Sequence, residues 1–79
     1  MTNEKLEYLI MLEEEKNVTK AAKRLFITQP TLTTYITNLE TNLGFKIFDR
    51  SRNPVLLTKA GMIYLEKMKM VVLSLKNVI

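Results

Sequence analysis

The side chains best suited to specific polar contacts are concentrated in one short segment, TQPTLTTYITN, which spans residues 28–38. Threonine hydroxyls and one glutamine amide dominate this segment, and both groups can donate as well as accept hydrogen bonds. Catalysis by a hydroxyl would need an adjacent base to activate it, but the chain contains no histidine and no cysteine. The segment therefore predicts a recognition surface rather than an active site.

The composition excludes several classes of protein. The 79 residues suffice for one small domain, and the absence of cysteine excludes disulfides and thiolate metal sites. Two glycines cannot form a glycine-rich phosphate loop. We therefore expect no cofactor in this chain and no enzyme. The N-terminus lacks the layout of an export signal and no apolar run is long enough to cross a membrane, so we expect a cytoplasmic protein without membrane contact.

The net charge of +4 is unevenly distributed along the chain. Residues 1–16 contain two bases and five acids, a net charge of −3, whereas residues 17–79 contain ten bases and three acids, a net charge of +7. Such a distribution is typical of a protein that presents a basic side to a polyanion such as nucleic acid. The alternative is that the lysines merely provide solubility.

Helical periodicity and capping residues indicate the elements that position the threonine segment. A first helix is predicted over about residues 4–16, and Asn17 can cap a short second helix in TKAAKRLF. Thr28 is a suitable N-cap for a third helix over about 29–43. Because only a few residues join the last two helices, they predict a helix-turn-helix over about 18–43.

The period changes after Gly44, which would end the third helix in a left-handed conformation. Residues 47–48 and 55–57 are rich in strand-forming types, and the segment DRSRNP between them has turn chemistry. A β-hairpin is therefore predicted over about 46–57. Thr58 can then cap a last helix.

These elements predict a mainly α fold in two parts. Residues 1–58 would form a winged helix-turn-helix, with three helices and a short β-hairpin wing. Residues 59–79 would form a long C-terminal helix that acts as a linker or dimerisation element.

A helical wheel divides the third helix into two faces. The apolar face consists of Leu32, Ile36, Leu39 and Leu43. The opposite face contains Pro30, Thr34, Thr37 and Thr41, with Thr31 and Thr33 on its flanks. Tyr35 lies at the edge of the apolar face, where it either packs in the core or contacts a groove. The second helix of a helix-turn-helix enters the major groove of DNA, where short hydroxyl side chains can contact base edges.

Several motifs occur in order along the chain, namely TKAAKRL, TQPTLT, LETNLGFKIFDR and LTKAG. In this combination, the sequence resembles the N-terminal DNA-binding region of LysR-type transcriptional regulators over about residues 6–66. The resemblance implies a winged helix-turn-helix, a linker helix that pairs two subunits, and a larger effector-binding domain, which we expect to be absent from this chain. A small-molecule effector is expected only for that missing domain.

The resemblance also implies contacts with double-stranded DNA. Gln29, Pro30 and Thr33 match contact positions of the family, whereas Thr34 and Thr37 stand where basic residues are frequent. The predicted DNA-binding residues are Thr19, Lys20, Thr28, Gln29, Pro30, Thr31, Thr33, Thr34, Tyr35, Thr37, Arg50 and Arg52. Further candidates for phosphate attraction are Lys23, Arg24, Lys46 and Lys59.

Two arginines in the predicted wing have different expected roles. In the family the wing lies along the minor groove, and Arg52 at the hairpin tip is the candidate for insertion there, since arginine is favoured where A·T-rich sequence narrows that groove. Arg50 either contacts DNA or forms a structural ion pair with Glu40 or Asp49.

Apolar residues recur along the last helix at the three- and four-residue spacing of a coiled-coil seam. The predicted dimerisation residues are Tyr64, Leu65, Met68, Val71, Val72, Leu75 and Ile79. So broad an apolar face predicts a partner, most simply a second copy of the chain related by a two-fold axis. Alternatively, the missing domain covers this face, or it packs back onto the first helix.

The function predicted from these patterns is a sequence-specific, double-stranded DNA-binding transcriptional regulator. It would insert the helix over 29–43 in the major groove and the wing at the minor groove, and bind an interrupted palindrome as a homodimer. The alternative is a winged-helix module that binds another protein without reading bases. The uncharged threonine face is the main support for this alternative.

Overall fold

The structure, a computed structural model, describes residues 2–78, and side chains within residues 6–76. The elements of this part of the chain are, in order, helices α1 (Thr2–Glu15), α2 (Val18–Arg24) and α3 (Gln29–Leu43), strands β1 (Phe48–Asp49) and β2 (Leu56–Leu57), and helix α4 (Lys59–Val78). The predicted winged helix-turn-helix with a long last helix is confirmed. Ile79, one of the predicted dimerisation residues, lies outside the described residues. Within residues 2–78, no helix has the length and hydropathy of a membrane span.

Helix α1 begins at Thr2, earlier than the predicted start, and ends at Glu15. Lys16 follows it in a left-handed conformation with φ 56°, and the backbone N–H of Lys16 donates to the carbonyl of Leu12 at 2.9 Å. The carbonyl of Lys16 accepts a hydrogen bond from the N–H of Val55 at 3.0 Å. This bond attaches the end of α1 to the second half of the wing.

Single capping residues fix the ends of α2 and α3. The Asn17 side chain accepts from the N–H of Lys20 at 2.9 Å at the start of α2. The Thr28 hydroxyl accepts from the N–H of Thr31 at 3.3 Å at the start of α3. Gly44 ends α3 with φ 85°, a conformation that glycine adopts without steric cost. The predicted bounds of α3 are therefore confirmed at both ends.

The core lies between the helices and is closed by the wing. Its fully buried large side chains are Leu12, Leu32, Ile36, Ile47 and Leu65, which come from α1, α3, α4 and the start of the wing. Helix α2 contributes Ala21 and Ala22, both buried. Their small side chains let the backbone of α2 lie close to its neighbours, which brings α2 and α3 into the compact angle of a helix-turn-helix.

The wing is a two-stranded antiparallel sheet in which Phe48 pairs with Leu57. The strands are shorter than predicted, because Ile47 and Val55 lie outside them. Both residues are buried: the N–H of Val55 donates to the carbonyl of Lys16, and the carbonyl of Ile47 accepts from the N–H of Thr58, directly after β2, at 2.9 Å. The wing is thus attached to the end of α1 in addition to its own strand pairing.

Helix α4 meets the wing at Gly61. The hydroxyl of Thr58 accepts from the N–H of Gly61 at 2.9 Å and so caps the helix, as predicted. A Cβ atom at Gly61 would lie 2.0 Å from the carbonyl oxygen of Ile47. Only glycine permits this close approach of α4 to the wing.

Candidate nucleic-acid interface

The outward face of α3 is polar and carries no charge. Leu32 and Ile36 are fully buried on the opposite side, so the predicted division of the helix into an apolar and a polar face is confirmed. The exposed residues of the polar face are Gln29, Pro30, Thr31, Thr34, Thr37, Asn38 and Thr41. Thr33 is half-buried at the flank. We call the residues Gln29, Pro30, Thr31, Thr33, Thr34 and Thr37 the polar face of α3.

Some hydroxyls at the start of this face bond to each other. The Oγ1 atoms of Thr28 and Thr31 lie 2.8 Å apart, within hydrogen-bonding distance. Since Thr28 is also the N-cap, this pair stabilises the first turn of α3. The helix can therefore tolerate β-branched threonines near its start despite their weak helix propensity.

The side chain of Gln29 is held from the neighbouring helix. The hydroxyl of Thr19, in the first turn of α2, donates to Oε1 of Gln29 at 3.0 Å. Both side chains are exposed, so this contact lies at the surface of the chain. The amide nitrogen of Gln29 has two further hydrogens that can donate outward.

Arg50 links the far end of the polar face to the wing. Its Nη2 atom lies 3.2 Å from Oε1 of Glu40 and 3.4 Å from the hydroxyl of Thr37. The Arg50 side chain is half-buried, and its Nη1 atom is buried without a hydrogen-bond partner in the described part of the chain. Of the two roles predicted for Arg50, the structure contains the ion pair with Glu40, and not one with Asp49.

Glu40 is the centre of this linkage. Only 4% of the residue is exposed, and its Oε2 atom accepts from the N–H groups of Ile47 and Phe48 at 2.7 and 3.1 Å. The carboxylate therefore binds the backbone at the start of the wing as well as Arg50. Periodicity did not reveal this role, because a charged residue beside the apolar stripe of a helix is ordinarily solvated.

Tyr35 occupies the boundary between core and surface. Its ring packs edge to face against Tyr8 of α1, with ring centroids 5.2 Å apart. Burial raises the pKa of Tyr35, and the neighbouring hydroxyls of Tyr64 and Tyr8 raise it further. Of its two predicted roles, the structure contains the packing contact.

Arg52 is at the exposed tip of the wing. Its side chain is 69% exposed, and Nε lies 3.3 Å from Oδ2 of Asp49. The hydroxyl and backbone N–H of Ser51 donate to Asp49 and hold the pKa of that carboxyl below its ordinary value, with a smaller contribution from Arg52. Because so exposed an ion pair is worth little, the guanidinium can leave it for another anion.

The remaining basic residues of the predicted interface differ in whether they already form an ion pair. Arg24 pairs with Glu14 at 3.3 Å and Glu15 at 2.7 Å on α1, and the hydrogen bond with Glu15 raises the pKa of Arg24. These ion pairs connect α1 and α2 at the exposed surface. Four of the predicted phosphate-binding lysines are exposed and form no ion pair within residues 6–76: Lys20, Lys23, Lys46 and Lys59.

The apolar residues of α4 fall into two groups, and the predicted seam contains members of both. Leu65 is buried in the core, and Tyr64, Met68 and Val72 are partly buried against it. Val71 and Leu75 are exposed. The exposed apolar surface also includes residues absent from the prediction: Met62, Ile63, Met70 and Leu73. Thus part of the last helix packs back onto the body, and a different part is available to a partner.

The turn between α2 and α3 contains an aromatic residue that sequence patterns did not single out. Phe26 is 94% exposed and adopts a left-handed conformation with φ 59°. Helix α2 consequently ends at Arg24, before the end of the predicted helical segment TKAAKRLF.

Comparisons with known proteins agree on one family. The profile described as "Bacterial regulatory helix-turn-helix protein, lysR family" matches residues 3–62. The uncharacterized HTH-type transcriptional regulator YybE of Bacillus subtilis is 44% identical over 66 residues, which are 84% of this chain and 23% of YybE. The HTH-type transcriptional regulator ClcR of Pseudomonas putida is 46% identical over 61 residues, 77% of this chain and 21% of ClcR. The chain thus spans roughly a fifth of the length of these relatives.

Solved structures with a similar fold include complexes with DNA. The BenM DNA-binding domain in complex with benA site 1 DNA superposes with a TM-score of 0.84 at 31% identity, covering 99% of this chain and 86% of that one. The CbnR DNA-binding domain in its DNA complex gives a TM-score of 0.82 at 34% identity, covering 94% of this chain and 85% of that one.

Proposed function

Because this chain belongs to the LysR family of bacterial helix-turn-helix regulators, we propose that it binds double-stranded DNA in a sequence-specific manner as the DNA-binding part of a transcriptional regulator. The observation that carries the proposal is the polar face of α3, which is uncharged and, apart from the half-buried Thr33, exposed. Such a face suits the major groove, where hydroxyl and amide groups contact base edges while lysines contact the phosphates on either side. A regulator of this kind would act in the cytoplasm, on the nucleoid.

Base recognition would fall to a few side chains of this face. Thr34 and Thr33 form no side-chain hydrogen bond within the described residues, so their hydroxyls are available to bases or phosphates. Gln29 has amide hydrogens to donate, and Pro30 and the methyl groups of the threonines can contact thymine methyls. Thr31 and Thr37 already have protein partners, and we propose that they contribute through their methyl groups and by holding the helix.

The two wing arginines would have separate roles. We propose that Arg52 enters the minor groove or binds a phosphate there, because its guanidinium is exposed and weakly held by Asp49. Arg50 would act on DNA only indirectly, because its ion pair with Glu40 sets the position of the wing relative to α3.

We also propose that the chain acts as a homodimer through α4, with an effector-binding domain of the whole protein following residues 59–79. The exposed apolar residues of α4 support this proposal, since six large apolar side chains within the described part of this helix are exposed, namely Met62, Ile63, Met70, Val71, Leu73 and Leu75. A two-fold dimer would place two α3 helices on two half-sites of an interrupted palindrome.

Selection of bound duplexes from a randomised DNA pool tests the proposal. Enrichment of an interrupted palindrome would support a dimeric reader of base sequence. Retention of DNA without any enriched sequence would mean that the polar face does not read bases, and failure to retain DNA at moderate salt would favour the protein-interaction module instead.

The role of Arg52 can be tested on the selected site with the variant Arg52→Ala. We expect weaker binding. We also expect the slope of the log binding constant against the log salt concentration to be smaller by about one, because one phosphate contact is lost. Lys67→Ala, which removes an exposed charge on α4, is the control and should leave the slope unchanged. An unchanged slope for Arg52→Ala would contradict the minor-groove role.

A further inference from the structure

The hydrogen bond between Thr19 and Gln29 joins the two helices of the helix-turn-helix on their exposed side. Oγ1 of Thr19 and Oε1 of Gln29 are 3.0 Å apart. Thr19 lies in the capped first turn of α2, where the Asn17 carbonyl accepts from Ala21 at 2.9 Å. Gln29 is the first residue of α3 and follows the N-cap Thr28. Both ends of the bond are therefore attached to well-defined helix termini.

In this bond the hydroxyl of Thr19 faces the amide oxygen of Gln29. An amide oxygen cannot donate, so the hydroxyl of Thr19 is the donor and Oε1 of Gln29 is the acceptor. The oxygen retains its second lone pair, and the adjacent nitrogen retains both hydrogens. A glutamine that presents an acceptor and a donor side by side matches the N6 amine and N7 acceptor of adenine in the major groove.

We infer that Thr19 is a positioning residue for base readout: it holds the side-chain amide of Gln29 in the orientation that recognises adenine, without itself contacting a base. The inference rests on the proposed function, in which α3 enters the major groove. The direct DNA contact expected of Thr19 from the sequence stays a prediction. A free glutamine side chain has three rotatable bonds, and each must be fixed when it binds a base. In this chain, much of that freedom is already lost in the unbound protein.

The test compares two substitutions of Thr19 that differ only in the hydroxyl. Thr19→Val keeps the β-branched shape and removes the donor, whereas Thr19→Ser keeps the donor. Thr19 is exposed, so both variants should retain the stability of the parent chain. In the unbound chain, NMR relaxation of the Gln29 side-chain amide should report greater mobility in Thr19→Val but not in Thr19→Ser.

Selection from a randomised DNA pool then measures the effect on recognition. The variant Gln29→Ala identifies the base pair that Gln29 reads, because preference is lost at that position. We expect Thr19→Val to reduce the adenine preference at the same position by roughly fivefold, as for one net hydrogen bond, and to leave the other positions unchanged. Thr19→Ser should keep the adenine preference of the parent chain. The double variant with Thr19→Val and Gln29→Ala should lose no more of this preference than Gln29→Ala alone.

The possible failures are distinguishable. If Thr19→Val keeps the preference at the Gln29 position, or weakens binding equally at all positions, Thr19 has no positioning role. Unchanged mobility of the Gln29 amide in the unbound Thr19→Val chain would also overturn the inference. If the parent chain enriches no sequence at all, the proposed function itself fails, and the inference fails with it.

Discussion

At the scale of single residues, Glu40 has the least ordinary environment in the chain. It is the one charged residue of α3, yet its carboxylate is buried and accepts hydrogen bonds from two backbone N–H groups and Arg50. The sequence allowed an ion pair between Arg50 and Glu40 as one of several possibilities. It could not reveal the backbone bonds to Ile47 and Phe48, because these depend on how the wing folds back over α3.

We predict that Glu40→Ala lowers the free energy of unfolding by about 3–5 kcal/mol, since it leaves two buried backbone donors without an acceptor and the Arg50 guanidinium without its carboxylate. Urea denaturation measures this change. Glu40→Gln keeps one carbonyl oxygen for the backbone N–H groups, so its loss should be smaller. Glu66→Ala, at an exposed position of α4, is the control and should change stability by less than about 0.5 kcal/mol. Equal effects of Glu40→Ala and Glu66→Ala would contradict the structural role of Glu40.

Tyr35 gives the fold a dependence on alkaline pH. Its pKa in the folded chain lies above the ordinary tyrosine value because burial disfavours the phenolate. The stabilisation from this side chain is therefore complete below about pH 10 and is lost as the pH rises through the folded pKa. We expect the stability of the parent chain to fall more steeply above about pH 10 than that of Tyr35→Phe. Urea denaturation of both chains at several pH values measures the difference, and parallel curves would contradict it.

At the scale of the elements, the sequence predicts most reliably where a single residue fixes a helix end. Thr28 and Gly44 cap α3, and its predicted bounds are confirmed. The strands were predicted too long, because Ile47 and Val55 are buried but lie outside the paired residues Phe48–Asp49 and Leu56–Leu57. In so short a hairpin, the sequence alone cannot distinguish a buried residue from one that pairs within a strand.

The two glycines are required for different reasons, which substitution by alanine can separate. Gly44 has a positive φ, and a Cβ atom added there would meet no other atom within 4 Å, whereas a Cβ at Gly61 would lie 2.0 Å from the carbonyl oxygen of Ile47. We expect Gly44→Ala to lower the free energy of unfolding by about 1 kcal/mol. Gly61→Ala should cost more, at least about 2 kcal/mol, because α4 must move away from the wing.

Thermal denaturation of the two glycine variants tests this order. Ala60→Ser, beside Gly61 but exposed, is the control for a change at the start of α4. A larger loss in Gly44→Ala than in Gly61→Ala would show that α4 and the wing can separate at little cost. Gly61→Ala should also weaken DNA binding more than Gly44→Ala does, because displacement of the wing moves Arg52 relative to α3.

At the scale of the whole molecule, the sequence indicates an apolar last helix but not which of its residues remain exposed. Leu65 and Leu73 are both leucines of α4, yet Leu65 is 2% exposed and Leu73 is 59% exposed. The heptad spacing selected the buried Leu65 together with the exposed Val71 and Leu75, because periodicity identifies the apolar stripe of a helix but not which part of it packs on the same chain. Only the arrangement of α1 and the wing around α4 determines what is left for a partner.

This distinction leads to a prediction about self-association. Leu73→Glu places a charge on the exposed apolar surface of α4 and should weaken dimerisation at least tenfold, without a large loss of monomer stability. Ser74→Glu adds the same charge at the adjacent exposed position without removing an apolar side chain, and is the matched control. Sedimentation equilibrium over a range of concentrations measures both dissociation constants.

The same pair of variants connects association to DNA binding. If the dimer positions two α3 helices on two half-sites, Leu73→Glu should bind a palindromic duplex no more tightly than a duplex with one half-site, whereas Ser74→Glu should keep the preference for the palindrome. Equal dissociation constants for the parent chain and Leu73→Glu would mean that Leu73 lies outside the dimer contact. Loss of self-association in both variants would indicate that the added charge, and not the lost apolar contact, separates the subunits.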